Sequence, residues 1–200
     1  MKGTFRSKDQ FYIVECPHNL EDTFKAYVNE VANFVPILKD IFSLKPSYEF
    51  LTVKFEEKGP CYEAGGFIYL QSKMDIKYPE NIYGGLFHET VHGFLEKYIH
   101  RNNGSNDFPE PCAIILQIAA LDKINIEWAN KFAEGTGSCE HDHPLLFELV
   151  RIYREYGFKP IRDIYFKMNL SDTPILFKET LICDLNKILR ENSVENLINF

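Results

Sequence analysis

Every stretch of this chain that reads as a β-strand lies before residue 73, and everything after it reads as helix. A run of strands followed by a run of helices places a chain in the α+β class. "FYIVEC" (residues 11–16) predicts a first strand, ended by Pro17. Over residues 19–44, Leu20, Phe24, Tyr27, Val31, Phe34, Val35 and Leu38 recur at helical spacing. That spacing predicts a helix capped by Asn19 and kinked or ended at Pro36. Residues 48–57, "YEFLTVKFEE", alternate as a strand does, and "KGP" then turns the chain. Residues 61–72, "CYEAGGFIYLQS", predict a second strand antiparallel to it, interrupted by Gly65 and Gly66.

Helices are predicted over 81–100, 109–121, 144–156, 160–168 and 173–190, the last behind Ser171 as N-cap. There is no repeat, low-complexity tract or linker. The expectation is one domain over 1–200, with a helix-and-sheet part (1–80), a pair of helices (81–121) and a helical part (122–200).

Within the first of those two helices, "GGLFHETVHGFLEKY" carries His88, Glu89 and His92 as HExxH. With 6 His in 200 residues, roughly 0.02 chance matches to this pattern are expected. Phe87, Val91, Phe94, Leu95 and Tyr98 make one apolar face, so the segment is a credible helix. Residues i and i+4 point the same way, so both imidazoles can reach one ion. Zinc accepts two histidines on successive turns. Glu89 is rotated away from His88 but lies near His92, placed to hydrogen-bond a water rather than to bind the ion.

A catalytic zinc takes a third protein ligand and keeps one open position. The continuation HExxHxxGxxH fails, because Leu95 and Tyr98 stand where Gly and His are needed. A glutamate on a following helix is supplied by Glu110 in "NDFPEPCAIILQ", with 17 residues between it and His92. Pro109 and Pro111 suit a first helical turn, and Asp107 could cap it. A second source of a ligand is "CEHDH" (139–143), where Cys139, His141 and His143 are metal-ligand types. Its leading reading is a polar loop ahead of the helix at 144, with His141 or His143 as the alternative to Glu110 for the third ligand. Other chemistry-bearing residues have plain readings. His100 closes a helix, where a cation is favoured. His18 is a turn residue, the cysteines are core residues, and Asp122 and Lys123 are solvated.

HExxH with a later helical glutamate resembles the gluzincin group of zinc metallopeptidases, a zincin-like fold. The resemblance spans residues 48–121. It implies a small, mostly antiparallel sheet ahead of the active-site helix. It implies bound zinc (Zn2+) on His88, His92 and Glu110, with Glu89 as general base for peptide hydrolysis. It implies that an edge strand over 64–73 adds to a peptide or protein substrate, with Ala64, Gly65, Gly66 and Phe67 against the substrate backbone. A Tyr that supports the oxyanion would come from Tyr153, Tyr156 or Tyr165. The Gly-x-Met-Glu-Asn signature of aminopeptidases is absent, and prolines flank Glu110. The alternative from another class is a zincin-like module that binds a peptide or protein without cutting it. Glu89 separates the two, because hydrolysis needs it and metal holding does not.

Composition bounds the setting. The 17 Phe and 11 Tyr argue against disorder. A net charge of -7 with no Lys/Arg-rich run argues against nucleic acid. No stretch approaches 18 apolar residues, so no membrane span is expected. The start lacks an apolar leader, and the five cysteines are scattered without a CxxC. Both fit a cytoplasmic protein with reduced thiols.

Overall fold

In β1 (Lys2–Arg6) the alternation is spare: Gly3 and Phe5 face inward while Lys2, Thr4 and Arg6 stay exposed. In β2 (Tyr12–Pro17), Tyr12, Val14 and Cys16 are buried and their neighbours half-buried. β3 (Leu51–Glu56) repeats the pattern with Leu51, Val53 and Phe55 inside. A sheet with one covered face produces this period of two. These observations come from a computed structural model. It describes residues 2–42, 45–56, 61–71, 79–95, 109–136, 144–169, 178–195 and 197–198, with some side chains near element ends, that of Glu110 among them, left outside the description. The class is α+β.

The sheet has the order β1-β2-β3-β5-β4, with β4 at Tyr62–Ala64 and β5 at Phe67–Gln71. β1 pairs antiparallel with β2, and β4 antiparallel with β5. β2–β3 and β3–β5 are parallel. The sheet is therefore mixed, which corrects the expectation of a mostly antiparallel one. Residues 61–72 are also not one interrupted strand. Gly65 and Gly66 have φ of 61° and 82°. Two successive positive φ angles are the turn that joins tight hairpins, and glycine takes them freely. The chain doubles back there, so β5 enters between β3 and β4 and runs parallel to β3.

The segment over 19–44 is likewise divided. A 3-10 turn (His18–Leu20) leads into α1 (Glu21–Ala32), and α2 (Val35–Phe42) follows. The N-cap of α1 is Leu20 without a side-chain bond, so Asn19 does not cap it. Pro36 sits in the first turn of α2, where its missing N–H costs nothing. α3 (Pro79–Leu95) carries the HExxH, and α4 spans Pro109–Asp122. β1 and α5 (Ile126–Thr136) are additions to the sequence reading. α6 (Pro144–Tyr156) has the expected bounds, α7 (Phe158–Asn169) begins two residues early, and α8 is Lys178–Glu191. Ser171 and Thr173 lie outside the described residues, as does His100. Among the described residues no helix is long and apolar enough to cross a membrane. Of the cysteines, Cys16 is buried as expected, but Cys183 is exposed.

The chain forms two compact units: 1–97 with 120–128, and 98–119 with 129–200. The middle segment 81–121 is thus shared, α3 belonging with the sheet and most of α4 with the later helices. In the first unit Tyr12, Val14, Phe24, Val28, Val31, Leu38, Leu51, Val53, Ile68, Leu70, Phe87 and Phe94 form the core. In the second, α6 packs on α7 and α7 on α8, burying Leu149, Ile152, Ile161, Ile164, Leu185 and Leu189. Gly157, with φ 78°, ends α6 and donates to Tyr153 O at 2.8 Å, a left-handed helix stop.

Candidate metal centre on α3

α3 packs on β4 and β5 and against α1. Leu86, Phe87, Thr90, Val91 and Phe94 are all fully buried. Phe87 meets Phe34 with ring centroids 5.2 Å apart. Gly93 lets the helix approach the sheet. A Cβ there would stand 2.9 Å from Leu51 Cδ2 and 3.3 Å from Glu63 Cγ. The carbonyl of Phe94, near the helix end, accepts from both the backbone N–H and the hydroxyl of Ser47, each at 2.9 Å.

Over residues 85–94, burial therefore covers most of the circumference of α3. Among these residues, Gly85, His88 and His92 form the half-buried stripe that remains. The two imidazoles meet edge to face, with ring centroids 4.7 Å apart. Their Nε2 atoms are 3.1 Å apart. Two nitrogens at about 2.0–2.1 Å from one tetrahedral ion stand about 3.3 Å apart. The separation is thus within a few tenths of an ångström of that spacing, and it is equally a hydrogen-bond distance between the two rings. Glu89 lies on the flank of this stripe and is 7% exposed.

Glu110 is the second residue of α4. It belongs to the other compact unit. Cys139, His141 and His143 lie outside the described residues. Among the described residues, no group of three or more His, Cys, Asp and Glu is placed to hold a metal ion. Both expected sources of a third ligand fall outside that description. Of the tyrosines, Tyr156 accepts at its hydroxyl from the Glu195 N–H at 3.2 Å. The Arg154 guanidinium lies 5.6 Å from the Tyr153 ring centre. The Tyr165 side chain is outside the described residues.

The expected edge strand is corrected. β5 is flanked by β3 and β4, and over Phe67, Ile68 and Tyr69 its backbone is already paired on both sides. The edge is β4, three residues long, which holds Ala64. Gly65 and Gly66 form the turn, and Phe67 opens β5. Glu63 Oε1 accepts from the Gly66 N–H at 2.9 Å and so closes that turn. A Cβ on Gly66 would also meet the Tyr48 ring at 3.2 Å. The two glycines are accounted for by the hairpin.

Sequence reading missed the residues that seat α3. Thr90, between the two histidines, donates its hydroxyl to Leu86 O at 2.6 Å. Tyr12 Oη stands 2.8 Å from Thr90 Oγ1. Because the Thr90 proton is committed to Leu86, Tyr12 is the donor. Tyr27 Oη accepts from the Leu86 N–H at 3.4 Å. Burial raises the pKa of both phenols and keeps them protonated. The only signal in the sequence was a threonine on the apolar side of the HExxH helix. No family model, no curated protein and no solved structure matched this chain in the comparisons made.

Proposed function

We propose that this protein is a zinc-dependent peptidase, a zincin-like hydrolase of peptide or protein substrates, in which His88 and His92 hold the ion and the sequence offers Glu110 as the third ligand. The observation that carries the reading is the 3.1 Å approach of His88 Nε2 to His92 Nε2 on the half-buried stripe of α3 over residues 85–94. Zinc bound there would supply Lewis acidity toward a scissile carbonyl and a more acidic water. Glu89 supplies the base: its carboxylate takes the proton of the attacking water and returns it to the leaving amine. Burial of Glu89 beside the stripe keeps that proton away from bulk solvent. Thr90 and Gly93 have no part in the chemistry and face the sheet instead.

The experiment is elemental analysis combined with peptide cleavage. Protein purified without chelators should carry about one zinc per chain. Joint His88→Ala and His92→Ala substitution should abolish it. Glu89→Gln should keep the zinc and lose about 10²- to 10⁴-fold in kcat. Glu110→Ala should weaken zinc binding. If His141→Ala or His143→Ala does so instead, the third ligand is in 139–143. Full zinc in the double-histidine variant removes the site. Bound zinc with no cleavage of a diverse peptide library by the unaltered protein turns the reading to a binding module.

A further inference from the structure

We infer that Tyr12, Thr90 and Tyr27 form a positioning device that fixes the rotation of α3, and with it the direction in which the His88–His92 pair points. The inference rests on the metal-site reading for its meaning but not for its geometry. Three hydrogen bonds converge on one turn of α3. Tyr12 of β2 donates to Thr90 Oγ1 at 2.8 Å, Thr90 donates to Leu86 O at 2.6 Å, and the Leu86 N–H donates to Tyr27 of α1 at 3.4 Å. Tyr12 and Thr90 are fully buried, and Tyr27 nearly so. A buried phenol must keep a partner, because an orphaned hydroxyl there is costly. Tyr12 has Thr90, so residue 90 is held toward the sheet.

Helical geometry converts that constraint into a direction. At about 100° per residue, His88 and His92 lie some 160° either way from Thr90, on the far side of the helix. Fixing Thr90 toward β2 turns both imidazoles out of the core together. Apolar packing alone specifies this angle less sharply. Leu86, Phe87, Val91 and Phe94 surround much of the helix and tolerate small rotations, whereas a hydrogen bond loses strength steeply with angle. Both imidazoles turn with the helix, so such rotations change how far the pair stands out of the core while leaving its internal spacing unchanged. Partners beyond the ligands commonly alter metal affinity 10- to 100-fold. Thr90 therefore acts as the key and Tyr12 and Tyr27 as its seat. None of them touches the reacting atoms.

The test uses the full chain with Tyr12→Phe, Thr90→Val, Thr90→Ser and the double Tyr12→Phe/Tyr27→Phe variant. Val14→Ala, a neighbouring core change on the same strand, controls for general destabilisation. Zinc affinity is read by competition with a chromophoric chelator. The rate at which diethyl pyrocarbonate modifies His88 and His92 is read by mass spectrometry in metal-free protein, as a measure of how far the pair stands out of the core. The double variant and Thr90→Val should lose about 10-fold or more in zinc affinity and change the modification rate of both histidines together. Thr90→Ser keeps the hydroxyl and should restore both readouts. Val14→Ala should leave both unchanged. A modification rate in the double variant equal to that of the parent overturns the inference, whether or not zinc binds. A change equal to that of Val14→Ala overturns it too. Zinc retained without the histidines sinks the metal reading alone, since imidazole reactivity in the parent and the tyrosine variants still reports on the device.

Discussion

α3 and the α6–α8 layer are both helical and both buried, yet they are held in different ways. Over residues 85–94 α3 is enclosed on most of its circumference, leaves the Gly85, His88 and His92 stripe half-buried, and is tied to β2 and α1 by buried hydroxyls. α6 to α8 each bury one stripe and leave the other to ion pairs such as Arg151 with Glu148 and Glu155. Helices of the second kind announce themselves by period. Helices of the first kind have little free surface, and what they expose is more informative. The half-buried histidines of α3 are conspicuous because the other described residues over 85–94, Gly85 apart, are buried.

Four changes would sharpen or break this contrast, taken from the largest effect down. Gly93→Val should cost about 3 kcal/mol, because a side chain at α3 has to displace Leu51 inside a filled core. Chemical denaturation measures it, and a loss under 1 kcal/mol would mean α3 is less tightly seated than described. Alkaline titration comes next. The pKa of Tyr12 and of Tyr27 is raised by burial from an ordinary 10.0. Above that value the unfolded chain releases protons that the folded one retains, so stability falls as pH rises. Each tyrosine contributes about 1.4 kcal/mol per pH unit. Tyr12→Phe should remove one such share from the slope above pH 10, and an unchanged slope would place Tyr12 in contact with solvent.

Gly157→Ala should cost about 1–2 kcal/mol for its left-handed backbone alone, since nothing lies within 4 Å of the added Cβ. Set against Gly93, it separates a glycine required by dihedral angle from one required by space. Arg151→Ala should cost under 1 kcal/mol, and the difference should fade in high salt. A loss as large as that at Gly93 would erase the distinction between the two regions.

Legibility in the sequence followed the range of the interaction. His88 and His92 converge because a helix makes them converge, and residues four apart suffice to see it. The bounds of α6 were equally plain, since Leu149 and Ile152 sit one turn apart on its buried side. The Tyr12–Thr90 bond joins residues 78 apart, and no local pattern reports such a pairing. Strand direction failed for the same reason. Residues 48–57 and 61–72 looked like successive antiparallel strands, and only the positive φ of both Gly65 and Gly66 reveals the reversal inside the second. β1 was invisible because Phe5 is its one large inward residue. Glu110 was found by spacing from His92, a signal that names a residue without showing what its side chain does.

The strand order also bears on how the sheet assembles. β1–β2 and β4–β5 are hairpins that close over short connections, while β3 joins each of them by a parallel pairing. Parallel registers need longer loops and pay their entropy first. β3 is thus the keystone between two preformed ribbons, and it arrives late. Until it docks, each ribbon exposes an extra open flank of backbone to any neighbouring chain. During synthesis or refolding, the risk of chains joining one another is therefore concentrated in the interval before Leu51, Val53 and Phe55 find their place.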